Sequence, residues 1–288
     1  MRWKDLRRSS NVRDVRGAGG YGGGRRMGLP VGRGGLGGSV GLLVILVVLF
    51  LFGGPDAILQ LFSGGAGAPS SDQGRPLTAD DEVSDFVARV LGSTEDVWGA
   101  LFAQSGERYQ APELTIFSGS VQSACGYASA ASGPFYCPRD QRVYLDTSFF
   151  DELARMGGAG DFAAAYVIGH EVGHHVQTLL GTSDQVRSAQ QRGNETQANR
   201  LQVAMELQAD CFAGVWAYHA NQTARVLEPG DVEEGLAAAQ AIGDDRLQRN
   251  AGRTVTPDSF THGSSADRQR WLSTGLRSGD PSACDTFN

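Results

Sequence analysis

His170 and His174 stand four residues apart with Glu171 beside the first, in the run His170-Glu171-Val172-Gly173-His174. Two imidazoles at that spacing with an adjacent carboxylate suit a zinc-dependent hydrolase. On an α-helix a four-residue step turns about 400°, so the two rings point the same way about 6 Å apart. They then offer two neighbouring corners of a tetrahedral zinc site. Glu171 lies about 100° round the helix, within reach of a water at the metal without taking a ligand position, which is where a general base belongs.

The elements around this run must hold it rigidly. Asp161 can cap a helix whose body, Phe162 to Ile168, is apolar, and Gly181 supplies a stop after Leu179 and Leu180. The histidines therefore fall inside a largely buried helix, where polar groups are costly unless paired or bound to metal. A catalytic zinc takes a third protein ligand. A second helical run from about Glu195 to Ala220 carries Glu206 and Asp210, again four apart and on one face. Glu206 is expected as the third ligand. Asp210 is expected to accept a hydrogen bond from one ligand histidine and so fix its tautomer.

Several stretches resemble a known family. Glu206 to Asp210 begins 32 residues beyond His174, a pattern similar to the Glu-zincins, in which HExxH on one helix meets ExxxD on the next. Ala124 to Gly126, Gly133 to Pro138, Ala165 to Gln177, Glu206 to Trp216, Cys284 to Phe287 and the opening Met1 to Val12 resemble the putative neutral zinc metallopeptidase family of bacterial membrane-anchored proteins. That resemblance implies zinc peptidase activity and leaves the substrate open. Thr261 to Arg268 resembles the THP…R segment of membrane-associated Glu-zincins, which implies His262 as a donor to the oxyanion; Gly263 stands where that pattern has proline. Arg268 is expected to anchor its helix rather than touch substrate. His175 is rotated away from the metal and is expected to be structural. His219 is given no function, and Tyr166 and Tyr144 are possible hydroxyl donors.

Charge is unevenly spread over the 288 residues. Residues 1–33 hold nine Lys or Arg against Asp5 and Asp14, leaving sixteen basic and thirty acidic residues for the rest. An acidic main domain argues against a nucleic-acid partner. Residues 34–54 carry no charge and centre on Gly41 to Phe52, long enough for a membrane-spanning helix of about 20 residues. The basic flank predicts a cytoplasmic N-terminus and an extracytoplasmic catalytic domain, hence a single-pass protein of the cell membrane. Ala66-Gly67-Ala68 has the form of a signal cleavage site, but the basic region ahead of the apolar core exceeds a typical signal peptide, so an uncleaved anchor is expected. An oxidising compartment permits disulfides. Four cysteines allow three connectivities; Cys125 with Cys137 and Cys211 with Cys284 is the preferred one.

The chain is expected to divide into a largely disordered Gly/Arg-rich arm (1–33), a transmembrane helix (34–54), a linker (55–77) and a zinc metallopeptidase domain (78–288). Thr78 is expected to cap one helix, and Ser93 or Thr94 to start another. Leu114 to Phe117 and Gln141 to Leu145 read as strands, and the one near Val143 is expected to receive substrate as an added strand. Helices are expected from Val232 to Ile242 and from Ser265 to Leu276. The sum is an α+β fold, a mainly helical zincin-like domain with a small sheet, preceded by one transmembrane helix. The expected activity is zinc-dependent hydrolysis of peptide bonds, with Zn²⁺ as cofactor and peptide or protein as substrate. A zinc amidase acting on peptidoglycan and a non-catalytic zinc scaffold of the envelope are the alternatives.

Overall fold

The computed structural model describes residues 1–16 and 81–288. The expected membrane span, the linker and Thr78 lie outside these residues. Among the described residues no helix is long and apolar enough to cross a membrane. The architecture is α+β and mainly helical, with eight α-helices and two small sheets among the described residues.

Two long helices form the centre. We label Asp161–Leu179 α3 and Glu195–Ala224 α5. Nearly every residue of α3 from Phe162 to Gly173 is buried, so this helix has no solvent face over the stretch that carries the motif. Asp161 belongs to its first turn and Gly160 holds the cap position. Gly181, at φ 76°, turns the chain after the helix as expected. α5 starts at Asn194, whose side chain and that of Gln197 satisfy each other's backbone N–H groups. α3 and α5 approach closely because Gly173 has no side chain; a Cβ there would lie 2.9 Å from the carbonyl oxygen of Ala209.

Further helices surround this pair. α1 spans Glu82–Gln104, α2 Ser148–Arg155, α4 Thr182–Gln190, α6 Asp231–Ala241, α7 Asp244–Asn250 and α8 Ser265–Ser278. α1 is one continuous helix, not two. Its cap is Asp81, whose carboxylate accepts from the N–H groups of Val83 and Ser84. Ser93 and Thr94 do not break it: the Thr94 hydroxyl donates to the Leu91 carbonyl, and Ser93 accepts from the buried Trp216 indole. Both hydroxyls therefore have partners without leaving the helix. At α8, Ser264 caps the first turn by accepting from the Asp267 N–H.

The larger sheet has strand order β1-β2-β6-β5, with β1 Val12–Asp14, β2 Glu113–Phe117, β6 Arg142–Asp146 and β5 Phe135–Cys137. β1, β2 and β6 run parallel and β5 pairs antiparallel to β6. β6, which contains Val143, is thus flanked on both sides and cannot receive a further strand. The outer strand on the site side is β5. A hairpin of β3 (Ser120–Ser123) and β4 (Gly126–Ser129) forms the second sheet.

The expectation of a mostly unstructured arm is revised for residues 1–16. Trp3 and Leu6 enter the main core, where Trp3 meets Phe86 edge-on at 5.4 Å, and Val12 to Asp14 add β1 to the sheet. The disulfides are Cys125–Cys137 and Cys211–Cys284, the preferred pairing. The second ties α5 to the C-terminal turn one residue beyond Asp210 and closes a separation of 73 residues.

Candidate metal centre

α3 delivers His170, Glu171 and His174; α5 delivers Glu206 and Asp210. The Glu206 carboxylate oxygen Oε2 lies 3.1 Å from His170 Nε2 and 3.5 Å from His174 Nε2. One ligand atom from each of the three lies within 4.8 Å of the others. The three sequence-predicted ligands are therefore brought together.

Proton positions follow from the partners. His170 Nδ1 is 2.8 Å from Asp210 Oδ1, and a carboxylate only accepts, so the imidazole carries its proton on Nδ1. His174 Nδ1 is 2.9 Å from Gln177 Oε1. The amide of Gln177 cannot be reversed, because its nitrogen donates to the Met205 carbonyl at 2.8 Å. His174 thus also donates from Nδ1. Both Nε2 atoms then face the Glu206 carboxylate: without a metal a proton on His170 Nε2 bridges to Glu206, and once the imidazoles are neutral three acceptors meet there. A cation satisfies that arrangement, and two imidazole nitrogens with one carboxylate oxygen are a zinc donor set. The residues present fit zinc.

Electrostatics point the same way. In the metal-free protein burial disfavours a charged His170, but the Asp210 charge and hydrogen bonds to Asp210 and Glu206 outweigh it and raise the imidazole to about 10. Burial likewise opposes ionisation of Glu206, yet the charge of His174 and hydrogen bonds to both histidines hold its carboxyl well below the usual range. The cluster draws positive charge into its centre. Glu171 differs: burial raises its carboxyl above the usual range despite the nearby histidines. An elevated carboxyl beside a metal position is suited to taking and returning a proton.

Asp210 is the hub behind the ligands. It accepts from His170, from the Tyr166 hydroxyl at 2.6 Å, and from Arg268 through Nε and Nη2 at 2.9 Å each. Arg268 thereby fastens α8 to α5, in the anchoring position expected of it. This pair is fully buried and bidentate, the geometry that compensates the loss of hydration. Tyr166 spends its hydroxyl on Asp210. Tyr144 donates to Asp140 at 2.8 Å and does not line the site. His175 donates to the Gln110 carbonyl at 2.6 Å and accepts from the Tyr136 hydroxyl at 3.1 Å, tying β5 to α3. His219 meets the Gly279 carbonyl at 2.7 Å.

Gln177 is the residue that sequence reasoning passed over, although its signal was present. It lies three positions after His174, on the same face of the helix.

A cavity of about 570 Å³ opens over the centre, lined by Glu171, Phe135, Tyr136, Val167 and His262 among others. His262 is half-exposed in a loop that Asp244 holds, accepting from the backbone N–H groups of Thr261 (2.7 Å), His262 (2.6 Å) and Gly263 (3.1 Å). Gly263 has φ 97°, which proline cannot adopt, and its N–H is one of the three donors. This loop is therefore built differently from one with proline at that position.

A histidine pair on one buried helix and a carboxylate from the next form a site that could hold a metal ion, with Glu171 beside it. The chain belongs to the putative neutral zinc metallopeptidase family, whose model matches residues 1–287. It is 47% identical over 290 residues to the protein of Escherichia coli strain K12 named "Uncharacterized protein YpfJ", covering 100% of this chain and 99% of that one. It is 42% identical over 235 residues to "Uncharacterized protein Rv2575" of Mycobacterium tuberculosis strain H37Rv, covering 77% of each. No solved structure matches the chain.

Proposed function

We propose that this protein hydrolyses peptide bonds, with His170, His174 and Glu206 as zinc ligands and Glu171 as general base. The observation that carries the reading is the convergence of two imidazole Nε2 atoms and the Glu206 carboxylate beneath an open cavity, with Glu171 on its wall. Bound zinc supplies Lewis-acid polarisation of water and of the scissile carbonyl. Glu171 accepts the proton of the attacking water and returns it to the departing amine. Asp210 and Gln177 keep both imidazoles turned with Nε2 toward the ligand position. His262, which lines the same cavity, serves in this reading as donor to the developing oxyanion. β5, the outer strand, contributes Phe135 and Tyr136 to the same wall, and an extended peptide adds to that edge.

The test is digestion of an unbiased peptide library by the zinc-loaded full chain, with purified cell-wall material assayed alongside. Chelator-sensitive cleavage of peptides supports the proposal. Release of wall cross-links with the peptides left intact would replace it with the amidase reading.

A further inference from the structure

Residues 1–16 are built into the domain that carries the zinc centre. The α-ammonium group of Met1 lies 3.2 Å from the buried Asp231 carboxylate, and the Arg2 N–H donates to the Val226 carbonyl at 2.8 Å. Arg89 of α1 donates to the carbonyls of Lys4 and Leu6 at 2.7 and 2.6 Å. Glu95 of α1 accepts from Arg7, Ser9 and Asn11. Gly92 of α1 touches the Arg7 carbonyl so closely that a Cβ would collide with it. Together with β1, these contacts make the segment a structural layer rather than a tether.

The chain leaves this layer after Arg16 and comes back at Asp81. Arg16 Nη2 is hydrogen-bonded to Asp81, to Asp14 at 2.7 Å and to Ser84 Oγ at 2.6 Å. Departure and return are thus clamped together by one guanidinium. Had the chain crossed a bilayer once in between, Arg16 and Asp81 would stand on opposite sides of a hydrocarbon layer about 30 Å thick. The number of crossings between them must therefore be even. Only one stretch, 34–54, has the length for a crossing; from residue 55 to residue 80 no run without a polar side chain exceeds the six residues Gly64 to Pro69.

We infer that the N-terminal segment and the zinc centre lie on the same side of the membrane, and that the stretch between Arg16 and Asp81 makes no net crossing. This inference departs from the arrangement expected from the basic flank, in which the N-terminus and the domain stand on opposite faces. This inference does not depend on the chemistry proposed for the site.

Lys4 and Glu82 provide the test. Their side chains are largely exposed and form an ion pair at 3.2 Å across the two segments. Lys4→Cys and Glu82→Cys are made singly in the full chain and exposed to a membrane-impermeant maleimide, in sealed right-side-out vesicles and again after detergent. Both are expected to react alike before detergent, within about twofold, and the double variant to form an intramolecular cross-link with a short bismaleimide. A cysteine at 4 that is protected at least about tenfold relative to that at 82 until detergent is added, or the reverse, overturns the inference. So does a double variant that labels at both sites and yields no cross-link within one chain.

Discussion

Gln177 Oε1 receives the Nδ1 proton of His174 at 2.9 Å while the same amide's nitrogen is fixed on the Met205 carbonyl of the neighbouring helix. The orientation of a metal-facing imidazole on α3 is therefore set by the backbone of α5. His170 is oriented by Asp210, also on α5. The tautomer of His170 is set directly by α5 and that of His174 through Gln177, which α5 holds, so the geometry of the candidate centre is coupled to packing of the helix pair.

Replacing Gln177 by Leu removes the acceptor without a large change of volume. Zinc affinity measured by chelator competition is expected to fall about 10- to 100-fold, as for other residues that orient a metal-bound histidine. Unchanged affinity would show that His174 needs no such partner.

Glu171→Gln keeps the shape of the side chain and removes its basicity. Turnover of a cleavable peptide is expected to drop by at least about 100-fold. Zinc content by elemental analysis should stay near about one per chain, because Glu171 is not among the ligands. Hydrolysis close to that of the parent would refute the assignment of the base.

Gly173→Ala places a methyl group 2.9 Å from the Ala209 carbonyl oxygen and 3.0 Å from its Cα. Both contacts are with backbone, so the helices must separate. Denaturant titration should show a loss of about 1 to 3 kcal/mol in stability, and chelator competition a weaker hold on zinc as Glu206 recedes from the histidines. Retention of both parent values would mean that the helix pair tolerates the shift.

Asp244 supplies a pH dependence. Burial opposes its ionisation, but hydrogen bonds from His262 and from the Thr261 and His262 N–H groups hold its carboxyl below the usual value of 3.8. A carboxyl lowered on folding contributes stability that is present above its unfolded pKa and disappears as pH falls through its folded one. The melting temperature is expected to fall from pH 6 toward pH 3 more steeply in the parent than in Asp244→Asn, which has no charge to lose. Parallel profiles would remove Asp244 as a contributor.

Much of the helical framework was legible because its signals are local. A four-residue step on α3 and another on α5 place His170, His174, Glu206 and Asp210 on definable faces whatever the surroundings, since helix geometry repeats over a single turn. The end of α3 at Gly181, the start of α8 at Ser265 and the Cys125–Cys137 pair follow from short-range cues of the same kind.

Tertiary structure decided what depends on remote partners. Val12 to Asp14 are too few to show a period and are a strand only because β2 lies alongside. β6 looked like an available edge until β2 and β5 took both of its sides. Ser93 and Thr94 looked like a helix start until Leu91 and Trp216 claimed their hydroxyls. Gln177 acquired its role only when Met205 fixed its amide. By itself the sequence determined which residues could meet a metal and on which helical faces they lie, because those properties repeat within a turn. Which of them meet, what orients them, and that the first sixteen residues belong to the same body were decided by contacts across 28 to more than 100 residues of chain, which no local pattern encodes.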